Sequence, residues 1–361
     1  MRKFFLVIFC PFVLISCEKE FSDIEEKEQE SYRDVSTKKT KWDYNNSFIP
    51  FEMNGKLFAI DREKTSFSHP YYLNVFDNAN QKWIYVTHFD WSEDLISSVV
   101  GLNDKIIIVS GSKFGVFSFD GNEMKEGSTE QYWSNSQRDF IYAIADSNSY
   151  VVFDESGYAL YENASSSYIS SPNKKYIGAI FNDYVDIDGV NYAVSETGLY
   201  VSGSGITSWS KILSPKENKI FLGVFNYKGS YAIAEYNDTS QYVNILAYEN
   251  GGGIPTDTLG TFYEDFSWGS QSGQYKFMKM YYENDLFIGF TGQFDKSSWD
   301  RKGTRYTGKA FASENLGVKE IKEAKGSVLG DALSYPLMYN DKLYFVDSYY
   351  STHKLVELTF D

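Results

Sequence analysis

The sequence predicts an all-β chain, a seven-bladed β-propeller closed by an N-terminal outer strand in its last blade. Three observations predict it. A tight polar turn followed at once by an apolar or aromatic strand recurs seven times, starting at residues 54, 103, 147, 188, 228, 284 and 340. The spacings, 40 to 56 residues, are those of four-stranded units placed side by side. Aromatic residues make up 18% of the 361, with 30 Tyr and 28 Phe, and such rings suit a pleated, half-buried surface. No window of about 11 to 18 residues carries the apolar spacing of an amphipathic helix. Finally, the seventh unit stops at Asp361 after three strands, while Lys41-Trp42-Asp43-Tyr44 is left over ahead of the first unit and matches Lys82-Trp83-Ile84-Tyr85. That leftover segment is expected to supply the missing outer strand, leaving no exposed edge.

From the N-terminus, Met1-Arg2-Lys3 and the apolar run Phe4 to Ile15 have the form of an export signal, too short to span a membrane comfortably. Leu14-Ile15-Ser16-Cys17 resembles the lipobox of bacterial lipoproteins, which implies cleavage after residue 16 and acylation of Cys17. Cys10 falls within the removed segment, so no cysteine would remain for a disulfide, a thiolate metal site or a nucleophile. Residues 17–39 read as the lipidated cysteine and a disordered acidic tether, from Glu18-Lys19-Glu20 onward. An acidic stretch directly after the lipid cysteine is similar to the surface-export signal of Bacteroidota outer-membrane lipoproteins, which implies display on the outer face. A solvated spacer facing the periplasm is the alternative. Two or three acyl chains, at about 0.8 kcal/mol per buried methylene, anchor a protein without a spanning helix.

Residues 40–361 are the expected propeller. Each repeated turn and strand, such as Asn54-Gly55 before Lys56 to Ile60, is preceded by an apolar run (Phe48 to Met53, Ile141 to Ala145, Phe277 to Tyr282). It is followed by an alternating strand, as at Tyr72 to Asp77, Gly115 to Asp120 and Lys354 to Leu358. A less regular fourth segment ends most units, clearest at Lys82 to Thr87 and Trp209 to Leu213. Strands with neighbours on both faces read as continuous apolar runs, as Ile106-Ile107-Ile108-Val109 does. Val318 to Lys325 is the one stretch with room for a turn or two of helix. Leu73 to Asp77 followed by Gln81-Lys82-Trp83 is similar to half of a kelch repeat, although the paired glycines of kelch are missing after Phe58-Ala59-Ile60. Ser202 to Trp209 resembles a degenerate Asp-box, with Ser204 in place of the aspartate. Each covers one blade and names no family.

The formal charge is -15, and without Arg2 and Lys3 the mature chain carries 49 acidic against 32 basic residues. Such a surface repels phosphates, so nucleic acid is not an expected partner. A sialidase-type site needs clustered arginines, yet Arg33, Arg62, Arg138, Arg301 and Arg305 stand in no framework that places three together. His69, His88 and His353 are far apart. Asp183, Asp186, Asp188 and Asn191 are rich in oxygen, but the twelve-residue calcium pattern and its terminal glutamate are missing, and Asp188-Gly189 is explained as a hairpin turn. No metal or other cofactor is expected.

The candidate ligand-binding residues are aromatics in polar loops: Trp91 in Asp90 to Asp94, Trp268 in Asp265 to Gly269, and Trp299 with Arg301. Rings among hydrogen-bonding groups suit a sugar face and its hydroxyls; equally, such rings close the core between blades. Asp257-Thr258-Leu259 resembles the Bacteroidota O-glycosylation sequon, which implies modification at Thr258. The function expected is a lipid-anchored, non-catalytic glycan- or protein-binding module of the outer membrane, monomeric and exposed at the cell surface. The alternatives are a periplasm-facing scaffold of an outer-membrane machine, or a glycosidase or lyase with a site at the channel mouth.

Overall fold

The repeated turns set the architecture. In the computed structural model their first residues hold the left-handed conformation: φ is 52° at Asn54, 54° at Asn103, 52° at Asp188, 53° at Lys228, 52° at Asn284 and 49° at Asn340. Residues 147 and 148, the remaining turn, lie outside the described residues. Two-residue turns of this hand match the twist of paired strands, and Asn and Asp tolerate the conformation best among residues with a side chain. The first turn also joins its neighbour, since Asn54 Nδ2 donates to the Asn103 carbonyl at 2.7 Å. Asn54→Ala is expected to lower stability by about 1–2 kcal/mol, whereas Asn54→Gly loses only the cross-turn bond; urea midpoints of the two variants test the difference.

The structure describes residues 35–360 apart from 45–47, 63–69, 81, 92–95, 97, 111–112, 132–139, 146–148, 155–157, 164–172, 177–180, 182, 204, 207, 250–251, 265, 267–273, 296–306, 315, 317–336, 341 and 350–351. The segment expected to be helical, 318–325, is therefore outside them. Strand β1 (Val35–Tyr44) precedes the first sheet, formed by β2 (Phe48–Met53), β3 (Lys56–Arg62), β4 (Pro70–Asp77) and β5 (Lys82–Asp90). The second holds β6 (Ser98–Leu102), β7 (Lys105–Ser110), β8 (Lys113–Phe119) and β9 (Met124–Gln131), and the third β10 (Phe140–Ala145), β11 (Ser149–Asp154), β12 (Tyr158–Asn163) and β13 (Asn173–Tyr176). The fourth is β14 (Asp183–Ile187), β15 (Val190–Ser195), β16 (Gly198–Ser202) and β17 (Ser210–Leu213). The fifth is β18 (Lys219–Tyr227), β19 (Ser230–Asn237), β20 (Tyr242–Tyr248) and β21 (Pro255–Tyr263). The sixth has three strands among the described residues, β22 (Gln274–Glu283), β23 (Leu286–Asp295) and β24 (Thr307–Ser313). The seventh combines β25 (Leu337–Tyr339), β26 (Lys342–Tyr349) and β27 (Thr352–Phe360) with β1.

Every strand pair is antiparallel, and the described residues contain no helix. The N-terminal segment pairs where the sequence places it: β1 runs antiparallel to β27, from Val35 opposite Phe360 to Tyr44 opposite His353. The strand starts at Val35, ahead of the boundary expected at residue 40.

Neighbouring sheets are joined by apolar clusters in chain order. Phe51, Phe58 and Tyr71 of the first pack with Ile106, Ile108 and Phe117 of the second; Ile107 and Phe114 pack with Tyr150 and Val152 of the third. Val151 and Phe153 then meet Ala193, Tyr200 and Trp209, Tyr192 and Val194 meet Val224 and Tyr231, and Phe225 and Ile245 meet Met278 and Phe287. On the other side of the first sheet, Leu57, Phe76 and Trp83 pack with Tyr339 and Tyr344 of the seventh. Strands covered on both faces carry continuous apolar runs, as in β7, where Ile106 to Val109 are all buried.

Candidate functional site

The first strand of every sheet (β2, β6, β10, β14, β18, β22 and β25) stands at the end of its sheet's order, so among the described residues one backbone edge of each has no strand beside it. Backbone N–H and C=O groups along such an edge need partners. Six of these strands line one cavity of about 360 Å³. A second cavity, of about 490 Å³, adjoins it at Lys279 and brings in β18, and a third, of about 660 Å³, shares Glu52, Gly101, Ala145 and Tyr184 and reaches the turns at Asn54, Asn103 and Gly189. The edge strands thus line three adjoining cavities, the third of them bordered by repeated turns.

Two side chains in these cavities serve as partners for edge amides, and they occupy equivalent places in the repeat. Ser98, five residues ahead of turn residue Asn103, accepts at Oγ from the Ala143 N–H of the next sheet at 3.2 Å. Asp183, five residues ahead of Asp188, accepts at Oδ2 from the Val224 N–H of the next sheet at 3.1 Å. Ala143 and Val224 are themselves equivalent, four residues ahead of their turns. The device therefore recurs, with a hydroxyl in one sheet and a carboxylate in another.

The carboxylate has further partners. Asp183 Oδ1 accepts from the Tyr184 N–H at 2.8 Å and from Lys279 Nζ at 2.6 Å. Lys279 also donates to the Tyr184 carbonyl at 3.1 Å. Lys279 occupies the same repeat position as Asp183, two sheets further along the chain, five residues ahead of Asn284. Between them, the equivalent residue of β18 is Gly223, directly after a register shift against β19. A Cβ at Gly223 would lie 1.8 Å from the Met278 carbonyl oxygen and 3.3 Å from Asp183 Oδ2. The missing side chain lets β18 and β22 approach and leaves Lys279 room to reach Asp183. Three sheets are thereby clasped at one level.

The Asp183 side chain is 6% exposed and that of Lys279 20%. Burial pushes the Asp183 carboxyl above its ordinary range, and the opposing pull of the Lys279 ammonium and the backbone N–H donors does not cancel it. Chemically this is a buried, hydrogen-bonded ion pair in a cavity wall, with each Asp183 oxygen already accepting. Glu52, by contrast, is an exposed carboxylate that borders both the first and third cavities. Val99, Ile144, Phe181 and Leu337 supply apolar wall.

No protein-family model matches the chain, and no curated protein matches it. Among solved structures, Sqt1 of Saccharomyces cerevisiae is similar at 11% identity and a TM-score of 0.47, over 91% of this chain and 100% of that one. The WD40 β-propeller domain of Doa1 is similar at 10% identity and a TM-score of 0.48, covering 90% and 96% of the two chains. The periplasmic gluconolactonase PpgL of Pseudomonas aeruginosa gives 8% identity and a TM-score of 0.46, over 76% and 87%. At these values no functional argument passes from those proteins to this chain.

Of the candidates singled out in the sequence, Cys17, Trp268, Trp299 and Arg301 lie outside the described residues. Trp91 is buried: its Nε1 donates to Ser110 Oγ at 3.0 Å, its ring centroid is 5.7 Å from that of Phe117, and Lys113 Nζ lies 4.2 Å above it. Thr258 is exposed on β21, where its N–H donates to Asp257 Oδ1 at 2.8 Å. The four oxygen-bearing residues of the calcium pattern stand apart: Asp183 pairs with Lys279, Asp186 accepts from the Gly189 N–H at 3.1 Å, Asn191 Oδ1 accepts from the Tyr184 hydroxyl at 2.6 Å, and Asp188 is the turn residue at φ 52°. Among the described residues no group of three His, Cys, Asp or Glu side chains is placed to hold a metal ion. Sequence reasoning missed Glu52 and Lys279. Their signal was their distance from the turn, which becomes meaningful only once the repeats are aligned on the turns.

Proposed function

We propose that this chain is a lipid-anchored, seven-bladed β-propeller of the bacterial outer membrane, closed by β1 in the last blade, which binds a glycan or an envelope protein and performs no chemistry. Cys17 carries the lipid, the acidic tether places the propeller at the cell surface, and the cavities among the edge strands are the recognition site. The observation that carries the binding reading is the state of the buried carboxylate. Asp183 is committed to Lys279 and to two backbone N–H groups. A general acid or base has to reach the substrate proton that it transfers, and a carboxylate spent on holding three sheets together does not; among the described lining residues of that cavity, exposed Glu52 is then left without the second available carboxylate that glycoside hydrolysis uses. Adjoining cavities with apolar wall and a few polar groups fit recognition.

The full-length protein in detergent, applied to a glycan array and used as bait against envelope extract, tests this reading. Retention of a glycan or of one envelope protein is expected, and turnover of a polysaccharide with neither retained would overturn it. Protease treatment of intact cells should remove the propeller, whereas protection would favour the periplasmic scaffold. Cys17→Ser is expected to abolish acyl labelling and release the protein from the membrane fraction.

A further inference from the structure

The geometry points to one neutral sugar unit as the ligand of the 360 Å³ cavity, with Glu52 accepting its hydroxyl hydrogens; this rests on the binding function proposed above and names its ligand class and place. The volume lies at the small end of the range for small-molecule sites, about 300–1,000 Å³. It has room for a compact ring.

Charge selects among compact ligands. Among the described residues Lys279 is the one basic residue lining this cavity, and Asp183 already neutralises it at 2.6 Å. An anion entering would meet no net positive charge and would face Glu52. Among the described lining residues a cation would find a single exposed carboxylate, and it would give up its hydration against Val99, Ile144, Phe181 and Leu337. A neutral polyol avoids both costs. Its C–H face lies against apolar wall, and its hydroxyls donate to Glu52 and to backbone carbonyls of the edge strands. Those strands are β2, β6 and β10, whose consecutive residues 50–52, 98–101 and 143–145 line the cavity. A polar rim of backbone groups beside a mainly apolar wall is what a sugar ring, polar at its edge and apolar on its face, requires.

The test uses the full-length protein in detergent, with free glucose, galactose, mannose and N-acetylglucosamine as probes and glucuronate and glucosamine as charged controls. Binding is read by saturation-transfer NMR and calorimetry. At least one neutral sugar should bind more tightly than either charged control. Glu52→Gln, at an exposed position, should weaken it about tenfold, as expected for losing hydrogen bonds to a charged acceptor. Ala145→Phe, which fills the cavity, should abolish binding, with circular dichroism and melting temperature reporting its fold; if that variant fails to fold, Glu52→Gln alone decides. Neutral-sugar binding unchanged by Glu52→Gln overturns the placement while leaving a glycan-binding function intact. Tighter binding of glucuronate overturns the ligand class. If no sugar binds but the bait retains an envelope protein, the inference fails and the broader binding function stands.

Discussion

Lys279→Met is expected to lower the unfolding free energy by about 3 kcal/mol at neutral pH, the scale for removing one partner of a buried ion pair. Methionine is close to lysine in length and apolar, so the packing of the lysine stem is largely retained. The loss comes from Asp183, left buried without its counter-charge. A pH series separates this cause from simple repacking. In the folded protein burial already holds the Asp183 carboxyl above its ordinary value of 3.8, so ionising it opposes folding. The contribution of this group is fully present below the unfolded-state pKa and is lost as pH rises through the folded-state value. Removing Lys279 raises the folded-state value further. The deficit of the variant should therefore widen with rising pH and close at low pH, where the carboxyl is protonated in both states. Urea unfolding of wild type and variant at several pH values measures it, and a deficit independent of pH would mean that the clasp is not electrostatic. Asp183→Asn supplies the complement: its stability relative to wild type should improve as pH rises.

Gly223→Ala is expected to destabilise by about 3 kcal/mol or more, at the upper end for overpacking. The added Cβ meets a backbone carbonyl, that of Met278, at 1.8 Å, and a backbone atom cannot turn aside as a side chain can. Relief requires β18 and β22 to separate, which also draws Lys279 away from Asp183. The substitution should therefore be coupled to Lys279→Met. In a double-mutant cycle the combined loss should be smaller than the sum of the single losses, because both remove the same clasp. Gly203→Ala, with no atom within 4 Å of the added Cβ, is the control and should stay within about 0.5 kcal/mol of wild type.

Much of the fold was legible because its devices are local. Asn-Gly and Asn-Asp pairs ahead of apolar runs specify turns whose residues must take φ > 0, and the structure has that conformation at Asn54, Asn103, Asn284 and Asn340. Phe48 to Met53 was readable as a strand from its composition, and β2 has those limits. The pairing of β1 with β27 was readable because Lys41 to Tyr44 matches Lys82 to Tyr85 and the last unit lacked a strand.

The site was not legible, for a physical reason. Asp183 and Lys279 stand 96 residues apart, and what brings them together is a position shared across repeats and a glycine between them, not a motif. Within one unit, Lys279 reads as an ordinary polar residue in an apolar strand, and Asp183 as one more acid in an acidic stretch. Trp91 illustrates the converse. A ring in a polar loop resembles a sugar platform in sequence, and the register of β7 and β8 brings Ser110 and Phe117 against it.

Native mass spectrometry of the full-length protein, released from detergent after prolonged incubation with an oligosaccharide retained on the array, tests whether the protein binds without chemistry, because it reads occupancy and ligand mass together. A one-to-one complex in which the ligand keeps its intact mass is expected, with occupancy reduced in Glu52→Gln. A complex or free ligand of lower mass, produced by the wild-type protein and not by buffer, would show that the protein performs chemistry and would contradict the binding function.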